Sequence, residues 1–332
     1  MRSITLGRDG PQVSRLGLGC MGMSGMYGPA DRDEAIVTIH AALEAGIDLL
    51  DTGDFYGSGH NELLLREALR QLPRRRVLLS VKFGALRDPA GGWQGFDARP
   101  AAMKNFLAYS LQRLGADYID IYRPARLDPQ VPIEDTVGAI ADMVRAGYVR
   151  HIGLSEVGAH TLRRAAAVHP ICDLQIEYSL ITRGIEDAIL PACRALGVGI
   201  TAYGVLSRGL ISGHWRAGAA TPNDWRAHGP RFQADNLERN LALVESLRAI
   251  AQPAGLSVAQ LAIAWVLAQG TDIVPLVGAR RRDQLAEALG ALQRPLDAAT
   301  LAAIGHAVPR DAAAGSRYAA AQMALLDSER DA

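Results

Sequence analysis

The 332-residue chain lacks the features that would assign it to several large classes of protein. Its formal net charge is zero, which gives no general attraction for nucleic acid or for an anionic membrane surface. No stretch approaches the roughly 18 apolar residues of a membrane span, and the N-terminus lacks the apolar core of a signal peptide. The three cysteines show neither zinc nor disulfide spacing. We therefore expect a cytoplasmic protein with no metal site and no membrane or nucleic-acid partner.

Lysine is almost absent, because only Lys82 and Lys104 occur among the 35 basic residues. Genome composition alone can explain the arginine bias, but it does not explain the position of Lys82. Lys82 lies near the end of the apolar run 77–84, where a buried ammonium is costly unless it is paired. Asp51 ends the preceding apolar run, and Tyr56 follows five residues later. An acid, a tyrosine and a lysine at neighbouring strand ends can make a phenol acidic enough to move protons near neutral pH.

Short apolar runs alternate with amphipathic helical patterns along the chain, after a small N-terminal hairpin. The length allows either one large barrel or two ordinary domains. Eight strand–helix units without a long polar linker favour a single (β/α)8 barrel domain, a TIM barrel of the α/β class, over residues 1–332. The predicted barrel strands are 15–19, 47–51, 77–82, 118–123, 149–154, 173–176, 199–203 and 272–276, and the predicted helices include 32–45, 61–71, 100–114 and 133–146.

A doubly wound sheet is the alternative fold, and it usually carries a Gly-x-Gly-x-x-Gly turn after its first strand. Gly17, Gly19 and Gly22 fit that spacing. A loop follows them in place of a helix, however, so the setting for phosphate binding is missing.

Two segments are longer than a minimal barrel requires. The alanine-rich tail predicts a final helix at 312–326. The segment 207–239, after the seventh strand, predicts a lid or a pocket-forming loop. This second segment contains Trp215, Pro222, Trp225 and Pro230.

Polar side chains end five of the apolar strands, where a barrel of this kind places its active groups. Each of them has an ordinary structural explanation when it is taken alone, such as a turn or helix cap for an aspartate. Together they favour a functional site on one rim of the barrel. The five residues are Asp51, Lys82, Ser155, Gln175 and Tyr203.

Several motifs resemble those of the aldo-keto reductases, in a form typical of bacterial members. Residues 51–57 read Asp-Thr-Gly-Asp-Phe-Tyr-Gly, and Asn61-Glu62 follows shortly after. The resemblance extends from the first strand to about residue 290 and is specific, because the motifs occur in the right order. It implies a (β/α)8 barrel that binds NADPH without a Rossmann fold and transfers hydride between the nicotinamide and an aldehyde or ketone. The other matching motifs are 80–82, 153–156, 175–179 and 202–209.

The resemblance places the family's proton donor on Tyr56. Lys82 would stabilise the phenolate and lower the pKa of Tyr56, while Asp51 would hold and balance Lys82. Phe55 and Trp93 are candidate substrate-pocket residues.

The resemblance also implies a line of NADPH contacts. Arg280 and Arg281 fall where the family holds the adenosine 2′-phosphate, although a solvated helix start explains them as well. Glu287 matches the family's adenine-side acid, but Ala288 replaces the asparagine that usually follows it. The other candidates are Cys20 and Met21; Ser155 and Gln175 at the nicotinamide amide; Glu156, where asparagine is common; Tyr203 stacked on the nicotinamide; Gly204, Leu206, Ser207 and Arg208 along the pyrophosphate; and Gly278 and Gln284.

One position departs from the family pattern. The flanking Arg126 and Asp128 align the segment after strand four so that the family's catalytic histidine corresponds to Ala125. Side chains alternate along a strand, so we hypothesise that Arg123 points the same way, fills the space of the histidine and faces the substrate oxygen. Two alternatives stay open: Pro124 turns the chain so that Arg123 pairs elsewhere, or only water fills the space.

These features predict an NADPH-dependent aldo-keto reductase acting on a small or medium carbonyl compound. A second hypothesis is a low-turnover NADPH-binding sensor or regulatory protein, which the missing histidine would allow. The intact Asp51, Tyr56 and Lys82 argue against it. A third is a redirected reduction, such as that of an activated C=C bond. The sequence names neither the substrate nor an oligomeric state.

Overall fold

A computed structural model describes residues 3–216, 218 and 224–330, and within them eight parallel strands close into a barrel. The strands follow one another around the barrel in chain order, and the last pairs with the first, which confirms the predicted (β/α)8 fold. The barrel consists of β3–β5 and β8–β12. The strands are β1 (Ser3–Thr5), β2 (Gln12–Ser14), β3 (Gly17–Gly19), β4 (Leu49–Gly53), β5 (Leu78–Phe83), β6 (Ala85–Arg87), β7 (Trp93–Phe96), β8 (Ile119–Pro124), β9 (Val149–Ser155), β10 (Ile171–Glu177), β11 (Gly199–Tyr203) and β12 (Ile273–Gly278).

Helices surround the barrel and bury their apolar faces against it. Pro100 begins one of them where its missing N–H costs nothing, and Gly115 ends that helix with a φ of 63°. No helix of the described residues is both long and apolar enough to span a membrane. The helices are α1 (Arg32–Glu44), α2 (His60–Leu69), α3 (Pro100–Leu114), α4 (Ile133–Arg145), α5 (Ala159–Val168), α6 (Ile189–Leu196), α7 (Ala234–Ala251), α8 (Val258–Ala268), α9 (Arg282–Gly290), α10 (Ala298–Ala307) and α11 (Ala320–Met323).

The predicted N-terminal hairpin closes one end of the barrel. Strands β1 and β2 pair antiparallel, and the fully buried Leu6 and Val13 pack with apolar side chains of the barrel strands. These side chains include Leu49 of β4, Ile121 of β8 and Val274 of β12. The hairpin thus covers this end of the barrel, and the predicted site residues lie at the opposite rim, where the strands end.

Two segments differ from their predictions. An antiparallel hairpin of β6 and β7, which the sequence analysis missed, follows β5. The predicted tail helix over 312–326 is wrong, because only α11 forms there. Gly315 has a φ of 84°, and the Ala314 N–H donates to the side chain of Asn240, so the chain is held in an irregular path before α11.

The segment after β11 is long, as predicted, but it ends sooner, because α7 begins at Ala234. Its described part contains 3-10 helices, one of which is Pro230–Phe232. The buried Trp215 packs edge-on against Phe232, with ring centroids 4.8 Å apart. Pro222 and the side chain of Trp225 lie outside the described residues.

Candidate active site

The centre of the rim is a buried ion pair between adjacent strands. Lys82 on β5 donates from Nζ to Asp51 Oδ1 on β4 at 2.5 Å. The other Asp51 oxygen accepts from Ser80 Oγ at 2.8 Å and from Gln175 Nε2 at 2.7 Å. Burial lowers the pKa of Lys82, and the Asp51 carboxylate opposes that shift. The structure thus brings together Asp51, Lys82 and Gln175 as the sequence predicted, and it adds Ser80.

Tyr56 lies over this pair, in the loop that follows β4. The Lys82 ammonium is 5.1 Å from the centroid of the Tyr56 ring. Asn61 fixes the loop, because its side chain accepts from Thr52 Oγ1 at 2.6 Å and donates to the carbonyl of Cys20 at 2.9 Å. The loops after β3 and β4 are thereby tied together around the tyrosine.

The acidity of Tyr56 differs from the prediction. Burial raises the pKa of Tyr56 well above its ordinary value, and the Asp51 carboxylate adds to the rise. Lys82 was expected to lower it. We attribute the difference to Asp51, which lies 2.5 Å from the ammonium and offsets its charge at the phenol, so that desolvation dominates. The phenol is therefore protonated at neutral pH, as a proton donor must be.

The hypothesis that Arg123 faces the substrate is wrong. Arg123 points into the barrel, as the alternation along β8 indicated, but its fully buried guanidinium pairs with Asp173 Oδ2 at 3.0 Å. It also donates to Thr201 Oγ1 at 3.2 Å and to Ser80 Oγ at 3.0 Å. Gly153 makes this possible, because a Cβ there would lie 2.5 Å from Asp173 Oδ1 and 3.1 Å from Arg123 Cζ. Arg123 therefore pairs elsewhere, as one alternative had it, but Pro124 does not turn the chain, because β8 runs through it.

Arg126 is the arginine that faces the rim. Its Nη1 donates to the Ala125 carbonyl at 2.6 Å and, at the limit of a hydrogen bond, to Ser155 Oγ at 3.5 Å. Its positive charge works against the rise in the pKa of Tyr56. In the sequence, Arg126 served only to align the segment after strand four. A charged residue two positions after a buried strand end was the available signal.

Glu156 does not have a carboxylate free for the cofactor contact that was predicted for it. Arg317 of the C-terminal segment holds both of its oxygens, with Nη1–Oε1 at 2.9 Å and Nη2–Oε2 at 2.6 Å. Tyr203 and Ser328 also donate to this carboxylate, at 2.7 Å and 2.6 Å. Although burial opposes the shift, the Arg317 guanidinium lowers the pKa of Glu156 strongly. Glu156 therefore anchors the C-terminal segment to the rim.

Tyr318 follows this anchor and lies between two predicted cofactor contacts. Its hydroxyl is 2.9 Å from the hydroxyl of Tyr203, and its ring lies 4.3 Å from the Arg208 guanidinium carbon. Arg208 also pairs with Glu177 at 2.8 Å. Ser207 and Arg208 both have positive φ, 45° and 59°, in a tight turn after Gly204 and Leu206. Tyr318 was not among the residues predicted from the sequence, although the Arg-Tyr pair interrupts an alanine-rich run.

The predicted phosphate site lies at the far end of the same rim. Arg280 donates from Nη1 to the backbone carbonyls of Tyr27 and Pro29, at 3.1 Å and 3.0 Å. Arg281 pairs with Asp283 at 2.7 Å and is about half exposed. A cavity of about 210 Å³ lies between these arginines and the segment that leads into α1. It is lined by Pro29, Ala30, Asp31, Glu34, Arg280 and Arg281.

The remaining residues predicted to bind the cofactor lie in the loop after β3, at the end of β12 and in α9. The buried Cys20 begins the loop after β3, with Met21 next to it. Gly278 is the last residue of β12, and Arg280 lies two residues after it. The Gln284 side chain accepts from the Arg280 backbone N–H at 3.1 Å. Glu287 contacts His214 at 3.0 Å, on the segment after β11.

Aromatic side chains flank Tyr56 on the solvent side. The Phe55 ring meets the Tyr56 ring edge-on, with centroids 4.8 Å apart. Trp93 on β7 meets Phe55 at 5.7 Å, and Arg87 on β6 lies 4.1 Å from the Trp93 ring. Trp93 of the β6–β7 hairpin thus reaches the Phe55 ring that packs against the tyrosine.

The chain matches the model of the "Aldo/keto reductase family" over residues 15–308. It is 42% identical over 325 residues to "Probable aldo-keto reductase 1" of Glycine max, and the match covers 96% of this chain and 92% of that protein. The solved glycerol dehydrogenase of Gluconobacter oxydans is similar with a TM-score of 0.84 and 30% identity, over 92% of this chain and 94% of that one. The solved aldo-keto reductase of Bacillus halodurans, in its holo form, is similar with a TM-score of 0.79 and 27% identity, over 96% of this chain and 99% of that one.

Proposed function

The chain belongs to the aldo/keto reductase family, and from that premise we propose that it reduces an aldehyde or ketone to an alcohol with NADPH. The observation that carries the proposal is the buried Tyr56, whose ring lies 5.1 Å from the ammonium of an Asp51-paired lysine. This arrangement offers a protonated phenol beside a fixed positive charge, in a place where the barrel interior opens to a ligand.

The chain's own residues account for the proton transfer. Tyr56 holds its proton at neutral pH, because burial raises the pKa of the phenol. When the proton passes to a carbonyl oxygen, the phenolate forms near the ammonium of Lys82, which stabilises the new negative charge. Asp51 keeps Lys82 in place.

The residues of the rim fit NADPH. The bound cofactor would supply the hydride for the carbonyl carbon. Arg280 fits the 2′-phosphate best, because backbone carbonyls alone hold its guanidinium within the described part of the chain, and it borders the cavity beside α1. Arg281 is already paired with Asp283 and would contribute less. The residues that would hold the rest of the cofactor are Ser155, Gln175, Tyr203, Ser207 and Arg208.

A cofactor-binding protein with little turnover is the second candidate. Two observations favour it: Ala125 offers no imidazole, and the hydroxyls of Tyr318 and Tyr203 lie 2.9 Å apart on the proposed cofactor path. The intact Tyr56 and its Lys82–Asp51 pair favour the reductase.

A single-turnover experiment separates the candidates. The protein is saturated with NADPH and mixed with a panel of aldehydes and ketones, while the nicotinamide absorbance is followed and the products are identified. A reductase consumes one NADPH per active site and yields the alcohol. Stable absorbance with every compound would favour the binding protein, and a saturated carbonyl product from an enone would indicate C=C reduction.

A further inference from the structure

Four cations of the barrel interior and its rim, with side chains 5% exposed or less, have carboxylate partners. In each of four pairs a carboxylate oxygen lies within 3.0 Å of a positively charged nitrogen. Arg126 has no such partner among the described residues. The four pairs are Lys82–Asp51, Arg123–Asp173, Arg208–Glu177 and Arg317–Glu156.

The contacts of Arg126 use only part of its hydrogen-bonding capacity. Its Nη1 donates to two neutral oxygens, the Ala125 carbonyl and Ser155 Oγ. Within the described residues, Nε and Nη2 make no hydrogen bond, and neither is sealed away from solvent. A half-buried guanidinium without an anion is unfavourable, and its free edge presents two parallel N–H groups, the geometry that binds a carboxylate.

The surroundings of Arg126 place the residue near the reacting end of the site, within electrostatic range of Tyr56 and Lys82. Ser155 ends β9 next to Gln175 of β10, whose amide contacts Asp51. The nearest competing carboxylate, Glu156, is already held by Arg317 with two hydrogen bonds. Ala125 has only a methyl group where the family pattern has an imidazole.

We propose that Arg126 binds a carboxylate of the substrate, so that the preferred carbonyl compounds are oxo acids with the carboxylate close to the reacting carbonyl. This inference rests on the proposed reductase function and names its substrate class. The guanidinium would fix the acid group with two hydrogen bonds, and the carbonyl oxygen would then face Tyr56. The substrate's own charged group thereby supplies the orientation that a histidine would otherwise give.

A binding experiment tests the carboxylate site independently of turnover. Benzoate and its neutral isostere benzamide are titrated by calorimetry into the protein saturated with NADP. We expect benzoate to bind at least about tenfold more tightly, the scale of a charge-assisted pair of hydrogen bonds. Arg126→Gln should abolish this preference, and Arg126→Lys should keep only part of it. Arg163→Gln, an exposed arginine on α5, is the matched control and should change nothing.

Equal affinity for the two ligands, or a benzoate preference that survives in Arg126→Gln, would overturn the proposal. A kinetic comparison adds a second readout. The ratio of kcat/KM for phenylglyoxylate over benzaldehyde should fall at least about tenfold in Arg126→Gln and stay constant in Arg163→Gln. If the unaltered protein reduces neither compound, the reductase function fails, and the benzoate titration still decides whether Arg126 forms a carboxylate site.

Discussion

Replacement of Arg123 by methionine should destabilise the barrel much more than loss of a surface arginine would. The side chains of Arg123 and Asp173 are both fully buried, 3.0 Å apart. Methionine keeps most of the apolar stem but leaves the Asp173 carboxylate without a cation in the barrel interior. Removal of one partner of a buried pair costs about 3–5 kcal/mol. The folding free energy of a domain is only about 5–15 kcal/mol, so the effect should be large.

The matched control is Arg164→Met on the protein surface. Arg164 pairs with Glu134 at 2.6 Å, but the two side chains are 42% and 38% exposed, so the loss should stay below about 1 kcal/mol. Urea unfolding followed by circular dichroism and tryptophan fluorescence measures both variants. In a double variant with Asp173→Leu, removal of the orphaned carboxylate should restore part of the stability.

Two results would refute this reasoning. Arg123→Met could cost no more free energy of unfolding than Arg164→Met, which would mean that the buried pair is not stabilised as the structure indicates. Alternatively, Arg123→Met could remove carbonyl turnover while leaving the stability intact. Arg123 would then act on the substrate, and the assignment of a structural role would be wrong.

Two further predictions concern pH and cofactor choice. Burial raises the pKa of Asp54 to about 7, with a further rise from Glu62, so the free energy of unfolding should decrease as the pH rises from about 4 to 7, by on the order of 4 kcal/mol. Asp54→Asn should flatten that decrease in urea unfolding across this pH range, and an unchanged slope would contradict it. Arg280→Ala should weaken NADPH binding about tenfold and NADH binding little in fluorescence titrations, with a smaller effect for Arg281→Ala. Equal losses for both cofactors would show that Arg280 does not bind the 2′-phosphate.

The sequence was sufficient to predict the barrel and the pairing of Asp51 with Lys82. Both residues end apolar runs of strand length, and parallel strands in a barrel bring their ends to one rim. Neighbouring strands in the chain are neighbours in this fold, and the register places Lys82 only two residues beyond the position opposite Asp51, within reach of its long side chain.

The partner of Arg123 could not be predicted in this way. Alternation along β8 gave the correct inward direction, but the length of the side chain lets the guanidinium reach either the substrate or the interior. Asp173, 50 residues further along the chain, decides between them, together with the space that Gly153 leaves. Such a choice depends on charge and packing in three dimensions.

The C-terminal segment is a second case. Its alanine content favours a helix, and the predicted helix at 312–326 rested on that local preference. The contact between Arg317 and Glu156 spans 161 residues and fixes the chain over the rim instead. Tyr318 reaches the rim for the same reason. A tertiary ion pair has overridden helix propensity here.

The most direct test of the proposed mechanism is a single turnover with Tyr56→Phe. This change removes one oxygen atom and keeps the ring that packs against Phe55 at 4.8 Å. NADPH should bind with nearly unaltered affinity, and the rate of carbonyl reduction should fall roughly 10²–10⁴-fold, the usual contribution of a general acid. Retention of most of the aldehyde reductase activity in Tyr56→Phe would contradict the assignment of Tyr56 as the proton donor.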